Sequence, residues 1–140
     1  MNGWLDVETH LRIAGLAQIL LALIHPLIGW RLRWKQESAR MSALTAQVFW
    51  VHTYFLVLTL ILFGLLSLLL SHELLAPAPL ARALLLGLTL FWGARLYAQH
   101  FVYRAEHWRG HRLNTTAHAL FSLLWAYLTL VYAAALLLPR

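Results

Sequence analysis

Residues 43–70 read ALTAQVFWVHTYFLVLTLILFGLLSLLL, 28 positions without a single Lys, Arg, Asp or Glu. The hydrocarbon core of a bilayer is about 30 Å thick, and a helix rising 1.5 Å per residue crosses it in about 20 residues. This run exceeds that length, so it crosses with tilt or projects beyond the lipid. No water is present at that depth to satisfy backbone N–H and C=O groups. A helix, which pairs them within the segment, is therefore the form expected of it.

Working outward from this run, three more spans follow. The first covers residues 13–30, bordered by Arg12 and Arg31; the third covers residues 80–103, after a turn marked by Pro77 and Pro79. The fourth covers residues 116–138, preceded by Asn114, Thr115 and Thr116 as an N-cap cluster and closed by Pro139. The fold class expected is all-α, an integral membrane four-helix bundle forming one transmembrane domain over residues 1–140. The composition agrees: 61% of residues are hydrophobic and 11% charged, against about 25% charged in a soluble domain. There is no cysteine, which excludes disulfides, thiolate metal sites and cysteine nucleophiles. Residues 1–10 hold Asp6 and Glu8 but no Lys or Arg. A signal peptide would begin with basic residues, so the first apolar segment is expected to be retained.

The net charge of +6 is read as a topology signal rather than as a nucleic-acid surface. Arg31, Arg33, Lys35 and Arg40 lie between the first two spans, and Arg104, Arg109 and Arg112 between the last two. The opposite side holds Arg12, Arg82 and Arg140 with Asp6, Glu8 and Glu73. The positive-inside rule predicts cytoplasmic basic loops and both termini on the non-cytoplasmic side.

Six of the eight histidines then fall toward the basic side. His25, His52, His100 and His118 sit at similar depth on four different spans, with His107 and His111 just beyond the third. Imidazole is the commonest metal ligand, and polar side chains at membrane depth turn inward or toward water. These four histidines are the candidate ligands for haem or a transition metal, iron or copper. Pro26 removes an N–H and leaves the carbonyl of Ala22 without its helical donor, so a bend there is expected to aim His25 inward. Trp50, Tyr54 and Phe55 flank His52 and are expected to shield it. Gly29, Gly64 and Gly93 are candidate openings for a flat cofactor, and Arg31, Arg33 and Arg95 candidate cations for its propionates. A carboxylate-bridged di-iron site is disfavoured, because Glu106 is the one acid near these histidines and no Glu-x-x-His accompanies it. No hydrolase or phosphate-loop motif occurs.

A second constellation lies on the third span. Arg95, Gln99 and Glu106 follow at i, i+4 and i+11, which puts them on one helical face with Tyr103 nearby. Arg95 and Gln99 are read as an anion-binding wall suited to a lipid headgroup, a peptide conjugate or a propionate.

The stretch Leu90-Phe91-Trp92-Gly93-Ala94-Arg95-Leu96-Tyr97 resembles the third helix of the MAPEG superfamily, the microsomal glutathione transferases and leukotriene synthases. Ala46-Gln47-Val48 resembles the approach to that family's Asn and Glu, where this chain carries Phe49 and His52. Thr45 stands at the family's arginine and Thr53 at its tyrosine. The resemblance implies four spans, both termini lumenal, a cytosol-facing site and a homo-oligomer. Arg104 and Arg109 fall where leukotriene-synthase-like members carry arginines, the later of which helps activate the glutathione thiol. With Arg95 and Gln99 of the anion-binding wall they are therefore the candidate cofactor-binding residues, glutathione being the cofactor the resemblance implies.

Three function classes follow. The leading expectation is a membrane-embedded, histidine-ligated metal or haem protein with a redox role and a site near the cytoplasmic face. The alternatives are a MAPEG-like transferase or isomerase acting on a lipophilic substrate, and a non-catalytic membrane subunit. The partners expected are the bilayer, a lipophilic small molecule and further copies of the chain, with no nucleic acid.

Overall fold

A computed structural model describes residues 6–103, 106, 110 and 112–138. Six helices are described: α1 (Val7–Arg31), α2 (Trp34–Ser38), α3 (Ala43–Leu69), α4 (Ser71–Leu74), α5 (Pro79–Phe101) and α6 (Arg112–Leu137). Among the described residues there is no strand. The four long helices are each long and apolar enough to cross a bilayer. The chain is thus an all-α, multi-pass membrane protein, as the hydrophobic runs require. Large apolar side chains that the chain leaves uncovered, such as Leu23, Leu90, Leu123 and Leu137, suit a lipid surround and would be a liability in water.

The spans differ from their expected ends for local reasons. α1 begins at Val7, because Asp6 accepts from the backbone N–H and hydroxyl of Thr9 (both 3.3 Å) and so starts the helix before its apolar part. α1 also runs unbroken through Pro26 to Arg31. α3 starts where expected, with Ser42 accepting from the Thr45 N–H at 3.3 Å. α5 takes Pro79 in its first turn, where a missing N–H costs nothing, and stops at Phe101. The third span is therefore shorter than expected, and Glu106 lies beyond the helix. The Asn114–Thr116 cluster does not cap α6. It lies inside the first turns of a helix that already includes Arg112, and the Thr116 hydroxyl donates back to the Arg112 carbonyl at 2.9 Å.

The helices form two compact units. One comprises residues up to Leu11 and from Ser71 onward; the other is Arg12–Leu70. In the first, the terminal unit, α5 packs on α6. Leu85, Leu88 and Trp92 of α5, and Trp125, Leu128 and Tyr132 of α6, are buried. Trp92 stacks on Trp125 with centroids 5.2 Å apart and planes at 13°, and Phe121 stacks on Trp125 at 5.6 Å. The N-terminal turn of α1 joins this unit through His10, whose Nδ1 lies 2.9 Å from the Tyr127 hydroxyl, and through Glu8, which accepts from the Ser71 hydroxyl at 3.2 Å.

In the second, the inner unit, α1 crosses α3 at bare backbone. A Cβ on Gly15 would stand 2.6 Å from the Gly64 carbonyl oxygen and 2.7 Å from the Leu68 nitrogen. A Cβ on Gly64 would stand 2.6 Å from the Ile19 side chain and 2.8 Å from the Gly15 oxygen. Small residues of this kind let helices approach where lipid supplies no hydrophobic drive for association.

Candidate functional site

The polar centre of the terminal unit is Gln99, which is only 7% exposed. Its Oε1 accepts from Arg95 Nη1 and from Trp125 Nε1, both at 3.3 Å. Both partners are obligate donors, so the amide has one permitted orientation and its Nε2 faces His118. The Nε2–His118 Nδ1 distance is 2.7 Å. The amide must donate there, so His118 Nδ1 is an acceptor and the neutral ring carries its proton on Nε2. The edge of one imidazole meets the other: the rings of His100 and His118 are 5.4 Å apart at 75°.

Arg95 is half-buried about two helical turns before the end of α5. Its guanidinium carbon lies 4.8 Å from the Trp125 ring centroid and 5.5 Å from that of Tyr103, both within cation–π range. Among the described residues no carboxylate pairs with it. A cation at membrane depth without a counter-charge is costly. The Trp125 ring and the Gln99 amide hold this one in place. Close by, the buried Trp92 indole N–H, on a residue 1% exposed, has no acceptor.

The inner unit treats its histidines differently. His52 Nδ1 lies 2.7 Å from the Val48 carbonyl and His25 Nδ1 lies 3.3 Å from the Leu21 carbonyl. A carbonyl only accepts, so both rings carry a proton on Nδ1, and in the neutral tautomer this leaves Nε2 as the acceptor atom. His25 therefore satisfies a carbonyl of its own helix. His52 is exposed, as are Trp50, Tyr54 and Phe55, so the expected aromatic shield does not close over it.

Of the expected site residues, the structure joins Arg95 to Gln99, and His100 to His118, within the terminal unit. His25 and His52 belong to the inner unit. Arg104, Arg109, His107 and His111 lie outside the described residues. Among the described residues no three His, Asp or Glu side chains gather as a metal site would need. The glycine openings are also filled or closed. Trp34 lies 2.8 Å from where a Gly29 Cβ would be, Gly64 is taken up by the helix crossing, and Gly93 faces a methyl of Thr129 at 3.8 Å. Trp125 was not singled out from sequence. Its signal is a lone indole N–H in an apolar helix whose register meets Gln99 on the neighbouring helix, and this register is not visible in one dimension.

The fold and this cluster define a class, a multi-pass membrane protein in which a half-buried arginine, paired with no carboxylate among the described residues, joins a polar cluster of two neighbouring spans. Comparison with protein-family models, with curated proteins and with solved structures finds no match for the chain.

Proposed function

We propose that the α5–α6 site binds the anionic head of a lipophilic molecule whose tail stays in the bilayer. The observation that supports this is the guanidinium of Arg95, half-buried, oriented by Gln99 and, among the described residues, without a carboxylate partner. Desolvating a charge is unfavourable unless it is paired, and a planar carboxylate matches the guanidinium fork. By the positive-inside rule this end of α5 faces the cytoplasm.

The test is binding of cis-parinarate, a fluorescent polyene carboxylate, to the purified protein. Arg95→Gln should weaken binding by about tenfold or more, the equivalent of about 1.4 kcal/mol, and the parinarate methyl ester should bind wild type comparably weakly. Equal binding of acid and ester, or an unchanged Arg95→Gln, sinks the proposal.

A second reading, a histidine-ligated metal or haem, is supported by the Nδ1–H tautomers of His25 and His52. Elemental analysis and an absorption spectrum of the purified protein test it: a colourless, metal-free preparation rules it out. The MAPEG-like transferase reading uses the same Arg95 and is tested by retention on immobilised glutathione.

A further inference from the structure

The inner unit contains a cleft of about 340 Å³ formed by the end of α1, the start of α2 and the first half of α3. That volume lies at the small end of ligand sites, which span about 300–1,000 Å³. Its walls are mainly Trp30, Trp34, Trp50, Pro26 and Val57.

The local sequence builds this cleft deliberately. After α1 ends at Arg31, Arg33 adopts the left-handed conformation (φ 56°, ψ 37°) as it leads into α2, a geometry uncommon outside glycine. That turn sets Trp34 at the head of α2. Gly29 gives the indole room to lie on the α1 backbone, Phe49 holds it edge-on at 5.6 Å, and His25 lies against it at 6.1 Å. Of the polar side chains that line it, Gln36 among them, two are engaged with their own helices. Thr53 donates its hydroxyl to the Phe49 carbonyl at 2.9 Å, and the Nδ1–H of His25 points to Leu21. Charge enters only at the rim, through Lys35. Arg31 and Arg33, both exposed, are its near neighbours in the chain. Among the described residues none of these three cations meets a carboxylate, because the nearby Glu37 pairs with Arg40 at 3.6 Å.

From this complementarity we infer that the cleft is a second binding site, occupied by one anionic phospholipid of the surrounding bilayer. Its phosphate rests at Lys35 and the first part of an acyl chain lies between the tryptophans. An apolar, aromatic interior under a cationic rim excludes a free anion, which gains nothing from the walls. It equally disfavours a zwitterionic lipid, whose ammonium would face the basic residues. Tryptophan at the membrane interface and clustered Lys and Arg beside a span are the features that read lipid headgroups.

Native mass spectrometry on the purified full chain tests this with phosphatidylglycerol and phosphatidylcholine of identical acyl chains. Phosphatidylglycerol should bind about tenfold tighter or more. Lys35→Glu, at an exposed position that cannot disturb packing, should abolish that preference. Thr53→Trp should fill the cleft and remove phosphatidylglycerol binding, with unchanged helicity by circular dichroism confirming the fold. Arg95→Gln should keep the preference for phosphatidylglycerol over phosphatidylcholine, and Lys35→Glu should abolish it on that background too, which separates this site from the one between α5 and α6. Equal binding of the two lipids, retention of the preference by Lys35→Glu, or full displacement by inorganic phosphate would overturn the inference.

Discussion

The two units face the same problem, polar groups in an apolar setting, and differ in whether bonds across helices are added to local ones. In the inner unit the side chains close on their own helix. Gln18 donates to Ala14, His25 and His52 to the carbonyls four residues back, and Thr53 and Thr59 do the same. Its helices meet instead through backbone, at Gly15 and Gly64. In the terminal unit Thr89, Thr116, Ser122 and Thr129 also donate to carbonyls of their own helix, but other polar groups reach across. Gln99 links α5 to His118 and Trp125 of α6, and His10 of α1 reaches Tyr127. Local closure leaves a helix indifferent to its neighbour's polar residues but intolerant of any added bulk at the crossing. Cross-helix bonding reverses both sensitivities. It also holds charge and donors in fixed positions, which is what a binding site needs.

The comparison can be broken first at its polar side. Gln99→Leu removes the acceptor of two N–H donors and the donor to His118 together. Each buried group left unsatisfied costs about 1–3 kcal/mol, so a loss of about 2–4 kcal/mol is expected in reversible unfolding from mixed micelles, along with the parinarate site. A loss below about 0.5 kcal/mol, the range of an ordinary surface change, would mean that the network is not formed.

The crossing comes next. Gly15→Val places methyl groups against the Gly64 carbonyl and the Leu68 backbone nitrogen, and backbone cannot yield as a side chain can. Overpacking of this kind costs about 1–3 kcal/mol. Substituting Gly87, where an added Cβ meets nothing within 4 Å, is the matched control and should not destabilise. Equal effects at the two glycines would remove the crossing from the account.

A smaller effect sharpens the picture of the aromatic stack. Trp92→Phe keeps a ring against Trp125 while deleting the indole N–H that has no acceptor. The lost area and the relieved donor oppose each other, so stability should move by no more than about 1 kcal/mol. A large loss would reveal a partner for that N–H. The smallest change is expected at His52→Gln, where the side chain is exposed and bonded only to its own helix. Within about 0.5 kcal/mol of wild type is the expectation for unfolding, and the same variant must lose any bound metal if the histidine-ligated reading is right.

How far the sequence could be read depended on the range of the interaction. The i, i+4 relation of Arg95 and Gln99 was legible, because one helix fixes it. Extending the same face to Glu106 failed, because α5 stops at Phe101 and helical periodicity ends there. The depth of His100 and His118 was legible from their distances to the span ends, and the structure does bring them together. That Gln99 engages His118 was not, since it requires the rotational setting of α6 against α5. Gly64 was read as open space and is a contact instead, for the same reason: its neighbour, Gly15, is 49 positions away in the chain.

By itself, the sequence determined that four segments must be helical and can cross a bilayer, because lipid forces every backbone group to be satisfied within its own segment and hydrophobic length is a one-dimensional property. Only the tertiary structure decided which polar residues work together. Trp125 completes the Gln99 cluster, and Trp34 folds onto Gly29 to wall a cleft. Both depend on how one helix is rotated about its axis relative to the next. Spacing along a single chain carries no record of that angle, which is set by the packing of side chains from segments far apart.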